Sequence, residues 1–265
     1  MNKKGAVITQ WYMTMRWSEL EKQEIRVGFH PDFLKHGVRR VISIHPFNPP
    51  HLCLTGASGS GKTYCETILL DRLLMSKAEV FMADFKGIDF RYLHGCGHFS
   101  QHMDVGHTLD QAVDLMNQRM AGDVPVSHPV YLFFDEWAAY LAMLPKKDAE
   151  SAKQKLSSLL MLGRGAGVCV ILALQRIDAY NFGSSRENLG SSLALGSLSR
   201  EARQMLVPDP DHRELLLPQG RGRGYLITDG KAPVPVVIPK IRDVDGMRRR
   251  IRCAMEEEDK RFPVE

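Results

Sequence analysis

Nothing in the 265-residue sequence is apolar over a long enough run to span a bilayer. Met1-Asn2-Lys3-Lys4 looks like the start of a signal peptide, yet Gln10, Thr14, Arg16, Glu19 and Glu21 interrupt the stretch where an apolar region would have to follow. Direct membrane insertion is therefore not expected, and any membrane association would come through a partner. Cysteine is sparse. Cys53, Cys65, Cys96, Cys169 and Cys253 are odd in number, scattered and mostly set in apolar segments. That excludes a disulfide framework and suits reduced, buried thiols in a cytoplasmic protein. Internal repeats and low-complexity segments are also lacking. The formal net charge is only +4, so whole-chain charge by itself gives no argument for a nucleic-acid partner.

What is present fits one large α/β domain with short extensions. Apolar content is 44% and charged content 25%, ordinary values for a globular protein. Strand-like and helix-like segments alternate, as expected for a mostly parallel sheet with crossover helices. Val38 to His45 reads as a strand entering the main domain, and the turn cluster Pro46 to Pro50 marks a boundary. Leu52 to Thr55, Glu79 to Asp84, Pro129 to Phe134 and Val168 to Leu174 read as strands, with Leu193 to Leu195 a fifth. Helices are expected over Thr63 to about Lys77, His107 to Met120, Ala149 to Leu162 and Ser199 to Leu206, with helix or turn over Trp137 to Leu144. Gly224–Thr228 and Val234–Ile238 close as a hairpin around Asp229-Gly230. Upstream, Gly5 to Trp17 could form a strand and Ser18 to Gln23 a short helix.

The most informative stretch is Gly56-Ala57-Ser58-Gly59-Ser60-Gly61-Lys62-Thr63, which completes the pattern G-x-x-x-x-G-K-[ST]. Glycines let the backbone curl tightly and aim successive N–H groups at phosphate oxygens. Lys62 would reach the β/γ-phosphates of ATP, and the Thr63 hydroxyl would ligate Mg²⁺. The loop sits between a strand and a helix N-terminus, which is an anion site built from backbone alone. Tyr64 follows directly and is grouped with the nucleotide-binding residues. About seventy residues on, a hydrophobic strand ends in Asp135-Glu136, where Asp135 would hold Mg²⁺ and Glu136 would polarise the attacking water.

Three further segments leave alternatives open. Gln175 ends the fourth strand, where an amide can bond both the γ-phosphate and the attacking water, or simply cap the strand. Arg164 stands in the turn Gly163–Gly167, either as an arginine finger or as a cation satisfying helix-terminal carbonyls. Gly220-Arg221-Gly222-Arg223-Gly224 is either a basic loop facing a phosphate or another subunit, or a set of glycines for a close approach. His94, Cys96, His98, His102 and His107 cluster, but H-x-C-x-H is not a usual structural zinc spacing and no C-x-x-C pair accompanies it. Near the C-terminus, Lys240, Arg242, Arg248, Arg249, Arg250 and Arg252 precede Glu256-Glu257-Glu258-Asp259. Such a run is either a solvated helix face or a nucleic-acid or partner contact.

Taken together, these segments resemble the FtsK/HerA superfamily of motor ATPases, particularly its FtsK-like branch. The match runs from Pro50-His51-Leu52 through Gly56–Thr63, Asp84-Phe85-Lys86, Phe133-Phe134-Asp135-Glu136, Arg164–Gly167 and Ala173-Leu174-Gln175-Arg176, covering roughly residues 45 to 240. The family usually has Pro where this chain has Phe85, so a special role for Lys86 does not carry over securely. The resemblance implies a RecA-like P-loop fold over residues 47–240, with an N-terminal extension over 1–46 and a helical tail over 241–265. It implies ATP hydrolysis in a homo-oligomeric ring, typically a hexamer, with Arg164 acting across the subunit boundary. No separate winged-helix module is legible, so sequence-nonspecific DNA is the expected substrate, as in compact coupling ATPases of conjugative elements working with a conjugation apparatus. Leu217–Gly222 also resembles a loop of FtsK-like protein translocases of type VII secretion, the alternative substrate class. An ATP-switched assembly subunit is a third reading.

Overall fold

The computed structural model describes residues 24–45, 47–76, 78–228 and 231–261. The expected elements over Gly5–Trp17 and Ser18–Gln23, and the turn at Asp229-Gly230, lie outside the described residues. Among the described residues, ten strands form one sheet: β1 (Ile25–Phe29), β2 (Val41–Ile44), β3 (Leu52–Gly56), β4 (Glu79–Asp84), β5 (Phe99–Gln101), β6 (Val130–Asp135), β7 (Val168–Leu174), β8 (Ser191–Leu195), β9 (Arg223–Thr228) and β10 (Val234–Val237). The helices are α1 (Pro31–Lys35), α2 (Lys62–Met75), α3 (Val105–Ala121), α4 (Trp137–Met143), α5 (Lys146–Leu162), α6 (Arg200–Leu206), α7 (Pro210–Glu214) and α8 (Val244–Arg261).

Spatial order is β2-β1-β10-β9-β8-β3-β7-β6-β4-β5. From β8 to β5 the strands are parallel, and from β8 to β2 they are antiparallel. Every residue of β3, β4, β6 and β7 is buried. That explains their nearly continuous apolar sequences, since helices cover both faces of a parallel sheet. One face packs Ile68, Leu69 and Leu73 of α2 against Leu54, Met82, Phe133 and Ile171. The other packs Leu109 and Met116 of α3 and Leu156 and Leu159 of α5 against Leu132, Phe134, Val170 and Leu172.

Two segments outside residues 47–240 join this body. Strands β1 and β2 extend the antiparallel edge, with Phe29 paired to Val237 of β10. Helix α8 lies on α2, burying Ile251 and Met255. Its Arg250 donates to both carboxylate oxygens of Asp71 at 2.7 and 2.9 Å, and Arg252 donates to the carbonyls of Tyr92 and His94. Arg250 and Arg252 of the basic run are thus engaged in docking the helix.

His51 pins the centre of the sheet. Its Nδ1 accepts from Val170 N at 3.0 Å, so its Nε2 carries the proton donated to Leu160 O at 3.1 Å. Burial pushes the imidazole down to about 4, keeping it neutral in this bridge between β7 and the end of α5.

Candidate nucleotide site

Parallel strands bring their C-terminal ends to one edge of a sheet, and the register here does so for every acidic strand end. Gly56 of β3 pairs with Leu195, Asp135 of β6 pairs with Ala173, and Asp84 of β4 pairs with both Asp135 and Gln101. Ligands of open α/β sheets bind in the crevice outside that edge. The loop from Gly56 to Gly61 turns there into α2. Gly61 has φ 97°, a conformation that a side chain would strain. The first-turn amides of α2 have no preceding helical carbonyls to bond, so they present donors to an anion. A glycine-shaped cradle of backbone donors fits a polyphosphate.

Beneath the loop, Lys62 lies among three carboxylates: Asp135 at 2.7 Å, Glu66 at 3.0 Å and Glu136 at 3.4 Å. Burial opposes its charge, but Glu66, Asp135 and Glu136 outweigh burial and push the lysine above its usual range. Glu66, wholly buried one helical turn from Lys62, is pushed well up by burial and by the Asp135 charge. Burial also raises Asp135, in spite of Lys62. One positive charge therefore holds a group in which Glu66 is the carboxyl most inclined to keep its proton.

Glu136 occupies the left-handed region at φ 61°, uncommon for a residue with a side chain and a form of strain found at functional sites. Its Oε1 accepts from Lys86 Nζ at 2.6 Å and from Gln175 Nε2 at 3.2 Å. Burial alone would raise this carboxyl, but Lys86, Lys62 and Gln175 together hold it below the usual range, which keeps it ionised. Thr63 Oγ1 donates to Asp89 at 3.2 Å. Thr63 and Asp135 both offer oxygen, the ligand type that Mg²⁺ takes alongside substrate phosphates and water.

Tyr64 and Arg164 are not among the side chains gathered around Lys62. Tyr64 turns away from the loop, its hydroxyl accepting the amide of Ile241. Arg164 lies at the opposite end of the sheet from Lys62, in the 3₁₀ turn Gly163–Ala166 that leads into β7. The seven residues of β7 separate that turn from the nucleotide edge, about 20 Å at strand rise. Arg119 braces the turn, donating to the carbonyls of Ala166 and Gly167. Conversely, the Gly220–Gly224 loop reaches the site: Gly222 N donates to Ser60 O at 2.8 Å, and a Cβ at Gly61 would stand 3.3 Å from Gly222 N. Gly224 serves a close approach, since any Cβ there would overlap Ala194 O. Glu66, Asp89 and Lys86 are site neighbours that the sequence motifs do not assign. The i, i+4 spacing from Lys62 to Glu66 is a signal for the first.

No helix among the described residues is long and apolar enough to cross a membrane. No protein-family profile matches the chain. The FtsK domain-containing protein YdcQ of Bacillus subtilis (strain 168) is 29% identical over 193 residues, which span 66% of this chain and 40% of that protein. The chain thus covers less than half the length of this relative. Among solved structures, the pCW3 conjugation coupling protein TcpA, in its monomer form with ATPγS, superposes with a TM-score of 0.69 at 20% identity, covering 88% of this chain and 71% of TcpA. The cytoplasmic domain of the type VII secretion ATPase EccC of Thermomonospora curvata gives 0.65 at 19% identity, over 88% of this chain and 31% of EccC. The quoted motifs, the sheet and these relatives converge: the chain resembles FtsK-type ATPases in sequence and has their RecA-like P-loop fold.

Proposed function

We propose that the chain hydrolyses ATP in a homo-oligomeric, hexameric ring and uses the energy to move DNA without reading its sequence, as a coupling ATPase working with a conjugation apparatus. The observation that carries the reading is the convergence of Lys62, Asp135, Glu136 and Gln175 at one sheet edge beside the phosphate loop. Residues 47–240 form the motor body in this reading, with the flanking strands and α8 packed on it. Lys62 and the loop amides bind the triphosphate. Glu136, oriented by Lys86 and Gln175, takes a proton from the attacking water. Thr63 and Asp135 would hold Mg²⁺, which would supply charge neutralisation for the phosphates. Likeness to a conjugation coupling protein favours DNA. Likeness to EccC supports polypeptide as the second substrate class.

Arg164, about 20 Å from its own phosphate loop, acts in this reading on a neighbour's nucleotide. In mixtures of Arg164→Ala and Glu136→Gln protein that exchange subunits, some interfaces receive both intact groups. Such mixtures should recover a measurable part of the ATP turnover that each variant lacks alone. No recovery would remove the trans role and leave Arg164 as a cation of a surface turn.

A further inference from the structure

A second cavity opens on the same edge of the sheet, beyond Asp84. It holds about 260 Å³ and is lined by Gly87, Arg91, His94, Gln101 and His102. Its walls are built rather than incidental. Arg91 Nε donates to Gly87 O at 2.8 Å, which ties the exposed guanidinium to the buried Gly87 at the floor. His102 stands in the left-handed region at φ 56°, and its ring covers Gly87 so closely that a Cβ there would collide with it. Beneath the floor, Asp84 accepts from the amides of Gly87 and Phe90 at 2.9 and 3.1 Å, holding the loop in shape. The His94 carbonyl accepts from Arg252 at 3.0 Å, bringing a further cation to the rim, where Glu256 pairs with it at 2.9 Å. Among the described residues, the side chains of Arg91, His94 and His102 make no ion pair.

We propose that this cavity is a phosphate-binding subsite for the backbone of the DNA being moved, an inference that rests on the DNA reading above. A guanidinium, two imidazoles and an amide supply donors suited to phosphate oxygens, and Arg presents them in a planar fork. Such groups position a strand without reading bases. The cavity also lies next to the catalytic group. Gly87 follows Lys86, whose Nζ is 2.6 Å from the Glu136 carboxylate. A phosphate seated against Gly87 is one residue from the cation that orients Glu136, which gives DNA a short route to ATP turnover.

The test uses the full chain, a fluorescein-labelled duplex of mixed sequence, and anisotropy measured over a range of salt. Arg91→Ala/His94→Ala should weaken duplex binding about tenfold or more at low salt. It should flatten the dependence of log affinity on log salt by about 0.9 for each phosphate that is no longer neutralised. DNA stimulation of ATP turnover should disappear, while turnover without DNA stays at the wild-type level. Arg91→Lys, which keeps the charge but loses the planar fork and the Nε bond to Gly87 O, should bind at an intermediate level. His94→Ala alone guards against a folding artefact, because the main-chain carbonyl of His94, which the substitution keeps, is the group that holds Arg252. This variant should show part of the loss with an unchanged melting temperature. Wild-type affinity and salt slope in the double variant would overturn the subsite and leave the DNA reading standing. A wild-type protein that binds no duplex would overturn both.

Discussion

Glu136→Gln should bind ATP about as tightly as the wild type and turn it over roughly 10²–10³-fold more slowly, the range typical of a removed general base or transition-state group. The substitution keeps the size of the side chain and its capacity to accept from Lys86 and Gln175, so the local structure should persist. What it removes is the carboxylate charge that the proposed mechanism assigns to the attacking water. In that mechanism ground-state affinity comes from the loop amides and Lys62, which the change does not touch, so the effect should fall on kcat rather than on binding. Equilibrium nucleotide titration beside steady-state turnover separates the two. Turnover within a few fold of wild type would remove Glu136 from the role of base.

Lys62→Ala should show the opposite pattern, with nucleotide affinity lost and stability lowered as well. Lys62 is the cation that Asp135, Glu66 and Glu136 share, and it is itself buried. Removing one partner of a buried ion pair leaves the other charges uncompensated, at a cost of about 3–5 kcal/mol. Part of that cost is relieved if Glu66 takes up a proton, the direction in which burial already pushes it. Lys62→Ala/Glu66→Gln should therefore melt higher than Lys62→Ala and still fail to bind nucleotide. A thermal melt and a nucleotide titration on both variants check this. Recovery of binding in the double variant would mean that the single variant lost affinity only through unfolding.

The centre of the molecule is legible in the sequence and its edges are obscure, for physical reasons. Strands β3, β4, β6 and β7 are covered on both faces, so they appear as short apolar runs that need no knowledge of their neighbours. Strand β1, Ile25-Arg26-Val27-Gly28-Phe29, is five residues long, carries an exposed Arg26 and owes its order to pairing with β2 and β10. Strand β5 has three residues and helix α7 five, too short for periodicity to mark them. The phosphate loop and Asp135-Glu136 could be found because local spacing carries their chemistry. Lys86 could not be ranked, because its partner Glu136 lies 50 positions away and meets it only through the β4–β6 register. The C-terminal arginines illustrate the same limit. Arg250 and Asp71 are 179 positions apart, and their ion pair places that arginine in the seam between α8 and α2.

The central claim is that ATP hydrolysis at this site is coupled to DNA. It is tested most directly by measuring ATP turnover of the full chain at low salt, with and without duplex DNA, with Lys62→Ala as the control for contaminating activity. The account predicts a several-fold rise on adding DNA, indifferent to base sequence and collapsing as salt is raised, because phosphate contacts carry the coupling. Turnover that stays flat across all DNA concentrations, in protein shown to form rings, would contradict it and leave polypeptide as the substrate to test.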